Sequence, residues 1–325
     1  MQAMDDLVGE FLRKSKLNVR SASLRKLCHG QMQLELRTAG PSNYDEEYFM
    51  KIATVGKGGS GKTTVAGTLA RILAGEGCKV LAIDGDPNPN LALTLGIGRE
   101  EADKIKNIPP SIVDSREEAD GSRKLFMTLS HEELIGKYAA AAPEGIELIM
   151  MGKPAEGSAG SGCMCSSHRA VRGLIAEMSG HGEYTITDME AGLEHLKRGT
   201  ARNVDVMLMI TEPYFRSMEA AGRTFALAQE LKIPHLFAVA NKVKNAEDQA
   251  ALDEFFKKHG MTQIGAIPEE AQFTEAERKG LAPFDHAPHC PGAEAIRAIA
   301  SKLRTLRVGS METDPETSRL ATTPA

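Results

Sequence analysis

"GKGGSGKTT", residues Gly56 to Thr64, is the most informative stretch of the chain, and it comes directly after the apolar run "KIATV". Gly56, Gly61, Lys62 and Thr63 fit the spacing G-x-x-x-x-G-K-[ST]. Glycines let successive backbone N–H groups curl around phosphate oxygens, and the positive end of a following helix strengthens that attraction. In such a loop the lysine reaches the β and γ phosphates of a nucleotide, and the hydroxyl binds Mg²⁺. The sequence therefore predicts a strand, a phosphate-binding loop and a helix in that order.

Beyond the loop, short β-branched runs alternate with amphipathic segments of helix length. This alternation is typical of a parallel sheet that helices cover on both faces. The sequence thus predicts an α/β fold of the P-loop NTPase type, a three-layer, doubly wound, mainly parallel sheet of seven strands. The predicted strands are "KIATV" from Lys51, "KVLAI" from Lys79, "IELIMM" from Ile146, "YTIT" from Tyr184, "VDVMLMI" from Val204, "HLFAVA" from His235 and "TQIGAI" from Thr262.

The predicted sheet places one ATPase domain at residues 50–307, with an appendage on either side. Within the domain, residues 97–145 show helical pieces such as "HEELIGKYAAAA" and no strand pattern, so we expect a helical insertion at the edge. Residues 1–49 contain one amphipathic helix pattern, "MDDLVGEFLRK", and no clear strand. They are expected to be a disordered leader or, because Met50 immediately precedes the first strand, an over-called start. Residues 308–325 are small and polar, which predicts a disordered tail.

Composition excludes several classes of protein. The chain has 325 residues, is 42% hydrophobic and has a formal charge of -5, which gives no support to non-specific nucleic-acid binding. Its 5 cysteines are too few and too scattered for a disulfide scaffold, and this favours a reducing, cytoplasmic compartment. No apolar run approaches the roughly 20 residues that a membrane helix needs, so we expect no membrane insertion.

Carboxylates follow two of the predicted strands. The second strand ends in "IDGDPN", with Asp84 and Asp86, and the fourth ends in "TDMEAG", with Asp188. The carboxyl ends of parallel strands border the crevice in which open α/β sheets bind ligands, so Asp188 is expected to hold Mg²⁺ through water. Aspartates at strand ends also serve as helix caps and turn formers, which is the alternative interpretation.

Lys57 adds a second cation to the loop, where the general pattern requires none. The signature "KGG-x-GK-[ST]" stands at Lys57 to Thr63, and here the sequence resembles the deviant Walker A ATPases, the group of MinD, ParA and the nitrogenase iron protein. The resemblance implies an ATP-sandwich dimer in which Lys57 reaches the partner's nucleotide, Asp86 orients the attacking water, and Lys62 and Asp188 complete the catalytic set. The alternative for Lys57 is a solvated loop lysine. The nucleotide contacts implied for the loop are Gly56, Lys57, Gly58, Gly59, Ser60, Gly61, Lys62, Thr63 and Thr64.

Recognition of the base is expected at the ends of the last two strands. The sixth strand ends in "VANKVK", where the Asn241 amide is placed to contact a purine. Guanine-specific P-loop proteins commonly have a carboxylate three residues after such an asparagine, and this chain has Lys244, so ATP is favoured over GTP. By family resemblance, the turn from Pro268 to Glu270 is a second adenine contact.

Two thiols lie one residue apart in "GSGCMCSSH", which follows the third predicted strand. If Cys163 to Cys165 is extended, both side chains point to the same side, and two thiolates can bind one soft metal ion. They fill only half of a tetrahedral site, and a second copy of the loop across a two-fold axis would complete it. A disulfide within the motif is the rival chemistry. His168 is either a further ligand or a solvated residue.

The order of the motifs narrows the resemblance. The phosphate loop, "DGDPNPNL", the CxC loop, "DMEAGLEHLKRGTA" and "TEPYFRS" together resemble the CooC-type nickel-insertion ATPases of carbon monoxide dehydrogenase, over about residues 50–305. That resemblance implies hydrolysis of ATP to ADP and phosphate, a homodimer formed with nucleotide or metal, and Ni²⁺ or Zn²⁺ shared by Cys163 and Cys165 of both copies. Its client would be carbon monoxide dehydrogenase or a related metalloenzyme. Two departures are residues 1–49, which match nothing in the pattern, and Ser166, where proline is expected.

Two other functions stay open. A positioning ATPase of the MinD or ParA type would use the same loop, but the C-terminal residues offer neither an amphipathic membrane helix nor a basic face for DNA. An ATP-dependent electron donor like the nitrogenase iron protein would need a cluster cysteine where His195 stands. His195 is either a sensor of the dimer interface or an ordinary polar histidine.

Overall fold

The computed structural model of the chain describes residues 19–26, 32–38, 49–117, 123–151, 165–177, 184–197 and 199–306. It separates into two compact units, Met1–Tyr48 and Phe49–Ala325. The predicted helix "MDDLVGEFLRK" and the predicted tail, residues 308–325, lie outside the described residues. The domain boundaries expected from the sequence therefore stay predictions.

The first unit contains a pair of strands. β1 (Val19–Lys26) and β2 (Met32–Thr38) pair antiparallel, with Leu24 opposite Leu34. No strand was expected in residues 1–49, and that expectation is wrong. The overlooked signal is the segment "MQLELRT", in which apolar and polar residues alternate with the period of a strand.

The second unit is built on one sheet of eight strands. Its spatial order is β12-β11-β10-β3-β9-β4-β8-β7, and every neighbouring pair is parallel except β7 with β8. The strands of this sheet are β3 (Met50–Gly56), β4 (Val80–Gly85), β7 (Ala140–Ala142), β8 (Ile146–Met150), β9 (Tyr184–Met189), β10 (Val206–Thr211), β11 (His235–Val243) and β12 (Thr262–Pro268). A separate antiparallel hairpin is formed by β5 (Val113–Glu117) and β6 (Arg123–Met127).

Helices connect the strands of the sheet. None of those within the described residues is both long and apolar enough to cross a membrane. They are α1 (Lys62–Gly75), α2 (Leu91–Leu95), α3 (Arg99–Ala102), α4 (His131–Tyr138), α5 (Cys165–Glu177), α6 (Glu194–Lys197), α7 (Phe215–Glu230), α8 (Ala246–His259), α9 (Ala271–Lys279), α10 (Pro283–His286) and α11 (Pro291–Thr305), with short 3₁₀ turns at Pro110–Ile112 and Pro143–Gly145.

The central strands are buried along their whole length because helices cover both faces of the sheet. All residues of β4, β9 and β10 are buried, and so are all but the last of β3. A parallel strand buried on both faces has no reason to alternate polar and apolar residues. The predicted mainly parallel α/β fold is confirmed, and each of the predicted strands is present.

The structure corrects the prediction for residues 97–145, which were expected to lack strands. This segment holds α3 and α4, but also the hairpin β5–β6 and the edge strand β7. The sequence signal was weak because β5 reads "VDSRE" and β7 reads "AAA", and neither is rich in the residues that favour strands. β7 forms by antiparallel pairing with the exposed edge of β8, which adds an eighth strand to the sheet.

The hairpin packs closely against α5. A Cβ atom added to Gly173 of α5 would lie 2.5 Å from Cγ2 of Val113. The Arg169 guanidinium of the same helix donates a hydrogen bond to the Val113 carbonyl at 3.1 Å. Helix and hairpin therefore meet at a contact that only a residue without a side chain allows.

Candidate functional site

The phosphate-binding loop joins β3 to α1 as predicted. Gly61 precedes the helix with φ 92°, a left-handed conformation that favours glycine. A Cβ atom on Gly61 would lie 2.4 Å from Nδ2 of Asn241, so the position also lacks room for a side chain. Within the loop the Ser60 N–H donates to the Lys57 carbonyl at 3.1 Å, which closes a turn.

The two loop lysines differ in their surroundings. Lys62 is buried, and its ammonium group donates to the Lys57 carbonyl at 3.4 Å across the loop. Lys57 is exposed, and Nζ lies 3.5 Å from the neighbouring Gly58 carbonyl. Lys62 is thus directed over the loop, whereas Lys57 lies at the surface.

Asp188 and Thr63 are brought together at the foot of α1. The Thr63 hydroxyl donates to one carboxylate oxygen of Asp188 at 2.5 Å, and the Thr54 hydroxyl donates to the other at 3.0 Å. Thr54 and Asp188 are register partners on β3 and β9, which explains the second bond. Sequence analysis missed Thr54, because a threonine in a buried strand carries no distinguishing pattern.

Burial dominates the electrostatics of Asp188. It raises the pKa of Asp188 to about 6, although the hydrogen bond from Thr63 and the charge of Lys62 oppose the shift. The donor set of a threonine hydroxyl and a buried carboxylate is one of hard oxygen atoms, which is what Mg²⁺ prefers. These residues therefore fit a bound Mg²⁺.

Asp84 lies beside Asp188, as its register partner on β4. Its carboxylate accepts hydrogen bonds from the backbone N–H groups of Asp86, at 3.1 Å, and Leu91, at 2.9 Å. Burial, and after it the neighbouring charge of Asp188, raises the pKa of Asp84 to about 7. Asp86 is half-buried, and one of its oxygens accepts from the Asn88 N–H at 2.8 Å. Asp84 thus anchors the turn that presents Asp86.

Asn241 lies against the phosphate loop in this structure. Its amide nitrogen donates to the Ser60 carbonyl at 2.6 Å, and the side chain is buried. The predicted second adenine contact, Pro268, ends the adjacent strand and pairs with Val243. Both residues therefore lie at neighbouring strand ends, and their contacts to a base stay predictions.

Lys242 and Glu212 were missed by sequence analysis. The Lys242 ammonium donates to the Gly59 carbonyl at 2.6 Å and to the Glu212 carboxylate at 2.8 Å. Both residues stand in segments that the sequence had marked, "VANKVK" and "TEPYFRS". Glu212 and Lys242 could have been noticed because they stand near the carboxyl ends of β10 and β11, and those ends border the crevice in which such sheets bind ligands.

The CxC motif lies at the border of the described residues. Cys163 lies outside them, and Cys165 is the first residue of α5, which follows β8 along the chain. His168 is in the first turn of α5, and His195 is in α6. Over the described part of the chain no group of three or more His, Cys, Asp or Glu residues is arranged to hold a metal ion. Binding of Ni²⁺ or Zn²⁺ therefore stays a prediction.

Comparisons with known proteins agree with this geometry. Residues 51–284 match the family described as the CobQ/CobB/MinD/ParA nucleotide binding domain. The carbon monoxide dehydrogenase accessory protein CooC of Rhodospirillum rubrum is 35% identical over 245 residues, which cover 74% of this chain and 92% of that protein. An uncharacterised ATP-binding protein of Methanocaldococcus jannaschii is 35% identical over 78% of this chain and 98% of its own length.

Solved structures share the fold at lower identity. The MinD cell division protein of Aquifex aeolicus superimposes with a TM-score of 0.58 at 22% identity, covering 80% of this chain and 99% of that one. This chain has a mainly parallel sheet, a phosphate loop after β3 and a hydrogen bond between Thr63 and Asp188. Its relatives include CooC, at 35% identity. The chain belongs to the CobQ/CobB/MinD/ParA family and is a P-loop ATPase that resembles the CooC type.

Proposed function

We propose that this ATPase is a metallochaperone, which forms a nucleotide- and metal-dependent homodimer and assists nickel insertion into carbon monoxide dehydrogenase or a related metalloenzyme. One observation carries the proposal. The helix that begins at Cys165 follows β8, and β8 lies beside β4, whose end presents Asp84 and Asp86. The phosphate loop follows β3 and the CxC motif follows β8, and both strands run in the same direction in one sheet, so both segments come after carboxyl ends of that sheet. This topology supports an influence of nucleotide on the metal loop.

The ATPase half of the proposal assigns roles to the loop and to the carboxylates. Lys62 binds the β and γ phosphates, and Thr63 with Asp188 holds Mg²⁺, which when bound would screen the phosphate charge. Asp86 orients the water that attacks the γ phosphorus, and ADP leaves. The exposed Lys57 reaches the nucleotide of the second copy, as in the sandwich dimers of deviant Walker A ATPases. Asn241 and Pro268 contact the adenine.

The metal half depends on the dimer. Cys163 and Cys165 of each copy supply two thiolates, and two copies supply the four that a tetrahedral Ni²⁺ or Zn²⁺ site takes. Because binding free energies are linked, ATP must then raise metal affinity by the factor by which metal raises ATP affinity. Hydrolysis opens the dimer and releases the cargo ion to the client. We place this reaction in the cytoplasm, without nucleic acid or membrane insertion.

Metal binding and assembly test the proposal together. Equilibrium dialysis with Ni²⁺ or Zn²⁺ should give about one bound ion per dimer. Sedimentation in the apo, ADP and non-hydrolysable ATP states should show a dimer only when nucleotide or metal is bound. The double variant Cys163→Ser/Cys165→Ser should lose the metal and keep the ATPase activity. Cys78→Ser is the matched control, since Cys78 precedes β4 at the opposite edge of the sheet. Unaltered metal binding in the double variant would refute the metallochaperone role.

The ATPase half has a test of its own. Asp188→Asn should lower the rate of phosphate release by about 100-fold or more, because the carboxylate that holds Mg²⁺ loses its charge. Asp253→Asn, on the exposed face of α8, is the control. Equal rates in Asp188→Asn and the unaltered protein would remove Asp188 from the mechanism.

A positioning ATPase is the second candidate, because the MinD fold matches over almost the whole length of that protein. Pelleting with liposomes and with DNA in the presence of ATP distinguishes the two. Binding to either, together with no metal at the CxC loop, would favour the positioning role. An electron donor would instead be isolated brown, with iron and labile sulfide.

A further inference from the structure

β11 contains an irregularity next to the phosphate loop. Ala240 pairs with Ala266 and Val243 pairs with Pro268, so Asn241 and Lys242 together oppose one residue of β12. Lys242 has φ 57°, in the left-handed region that side chains disfavour. Bulges of this kind redirect side chains beside active sites, and backbone strain persists where the surrounding structure enforces it. The bulge therefore needs an explanation in the residues that it redirects.

The bulge turns two consecutive side chains toward the same loop. In a regular strand, neighbouring side chains point to opposite faces of the sheet. Here Asn241 donates to the Ser60 carbonyl at 2.6 Å, and Lys242 donates to the Gly59 carbonyl at 2.6 Å. Two successive carbonyl groups of the phosphate loop are thus bonded to two successive residues of β11.

Fixing those carbonyls also orients the loop's N–H groups. In a trans peptide the carbonyl and the N–H point in opposite directions, so the N–H groups of Ser60 and Gly61 are turned away from β11. The Ser60 N–H and the Lys62 ammonium both donate to the Lys57 carbonyl. Both therefore face the concave inner side of the loop, which the loop backbone curls around. That inner side is where backbone donors are needed for phosphate.

Glu212 holds the Lys242 side chain in place. Its carboxylate accepts from Lys242 at 2.8 Å, and the residue is buried, at 8% exposure. The Glu212 N–H in turn donates to the Ser217 hydroxyl at 3.0 Å. A buried carboxylate requires a charged partner, and Lys242 is that partner. The ammonium is therefore fixed between the end of β10 and the phosphate loop.

We propose that Lys242, held by Glu212, is a positioning residue of the nucleotide site, which sets the phosphate loop in its binding conformation before nucleotide arrives. Asn241 assists it through the Ser60 carbonyl. This role goes beyond the proposed metallochaperone function and depends only on ATP binding.

Three variants separate positioning from a merely structural role. Lys242→Met removes the ammonium group and leaves Glu212 buried without its partner, so both thermal stability and ATP affinity should fall. In Lys242→Met/Glu212→Gln the unpaired charge is gone, so stability should recover while ATP affinity stays about tenfold below that of the unaltered protein. Lys242→Arg should retain most of the affinity, because a guanidinium can still donate to both partners.

The measurements are thermal melting without nucleotide, the Kd for ADP by calorimetry, and the KM and kcat for ATP. We expect the KM of the double variant to rise by about tenfold with kcat nearly unchanged, because bound nucleotide re-forms the loop. Amides of residues 56–61 should exchange hydrogen faster in the nucleotide-free double variant. Lys258→Met is the control, since Lys258 is an exposed lysine of α8, outside the residues assigned to the nucleotide site. Recovery of ADP affinity together with stability in the double variant would overturn the proposal.

Discussion

Asp84 and Asp188 are neighbouring carboxyls in the interior, on β4 and β9. Burial raises the pKa of Asp84 to about 7 and that of Asp188 to about 6. An ordinary aspartate has a pKa of about 3.9, so between about pH 4 and pH 7 the folded chain keeps protons that the unfolded chain releases. This binding of protons makes the stability of the nucleotide-free protein depend on pH.

Asp84→Asn should remove part of that dependence. Because the folded-state pKa is raised, the stabilisation from the proton is full below about pH 4 and is lost as the pH rises through about 7. Urea unfolding at several pH values, without Mg²⁺ or nucleotide, should show the free energy of unfolding falling with pH more steeply in the unaltered protein than in Asp84→Asn. Asp253→Asn, an exposed control, should keep the steeper slope. Parallel slopes for all three proteins would contradict this prediction.

Some site residues could be predicted from sequence and others could not. Lys62, Thr63 and Asp188 follow fixed spacings or strand ends, so the chain itself indicates where they gather. Lys242 and Glu212 escaped because their contact depends on a bulge of β11, and no short pattern marks a bulge. Asn241 was predicted to contact the base, and the structure shows its amide on the phosphate loop.

At the scale of single elements, the junction between the loop and α1 depends on Gly61. The variant Gly61→Ala would place a Cβ atom 2.4 Å from Nδ2 of Asn241. It would also put alanine in the left-handed conformation of Gly61, with φ 92°. We expect a loss of about 1 to 2 kcal/mol in the free energy of unfolding from the backbone conformation alone, and ADP binding weakened by at least about tenfold. Chemical unfolding and calorimetry measure the two effects.

Gly75→Ala is the matched control for this change. Gly75 ends the same helix, and a Cβ atom there would meet nothing within 4 Å. Alanine is the better helix former, so this control should be neutral or slightly stabilising and should leave ADP binding intact. Equal effects of the two alanines would show that the junction does not require glycine.

Arg71 joins α1 to three other segments. It is buried, at 4% exposure, and its guanidinium donates to the Leu95 carbonyl at 2.7 Å, to Asp285 at 2.6 Å and to the Glu144 carboxylate. These segments are far apart in sequence, so the guanidinium links α1 to α2, α10 and the 3₁₀ turn before β8.

Arg71→Met should therefore destabilise the fold while leaving the rate of ATP hydrolysis nearly unchanged. We expect a loss of about 2 to 3 kcal/mol in urea unfolding, because a buried hydrogen-bonded network loses its cation, while kcat at saturating ATP stays within about twofold. The exposed pair of Arg223 and Glu219 gives the control, since Arg223→Met should cost about 0.5 kcal/mol or less. If Arg71→Met lost no more free energy of unfolding than Arg223→Met does, Arg71 would have no structural role.

The elements differ in how clearly the sequence predicts them. β4 and β10 are almost entirely apolar because both of their faces are buried, and this made them easy to predict. The hairpin β5–β6 has a polar sequence, and β7 depends on the edge of β8 for its pairing. Elements that tertiary contacts create carry little signal of their own.

For the whole molecule, two features of the single chain predict assembly into a dimer, the CxC half-site and Lys57. The Lys57 side chain is exposed, and in the proposed dimer it reaches the nucleotide of the second copy. Lys57→Ala should bind ADP with unchanged affinity but stay monomeric with non-hydrolysable ATP, and its ATPase activity should fall by about 100-fold or more. Sedimentation velocity and phosphate release are the measurements.

Lys104→Ala is the control for Lys57, because Lys104 is an exposed lysine outside the phosphate loop, paired with Glu101. It should dimerise with ATP as the unaltered protein does. A dimer of Lys57→Ala that forms normally would leave Lys57 as a solvated loop lysine, the alternative that the sequence left open.

The contact between Gly173 and Val113 has a consequence for the evolution of this chain. Because a Cβ atom at position 173 would lie only 2.5 Å from the valine methyl, the helix that starts at Cys165 and the hairpin cannot both gain volume at this point. Homologues that carry alanine or a larger residue at position 173 should carry a smaller residue than valine at position 113, or lack the hairpin. Covariation of positions 113 and 173 would then show that the hairpin β5–β6 and the helix α5, which begins at Cys165, have evolved together.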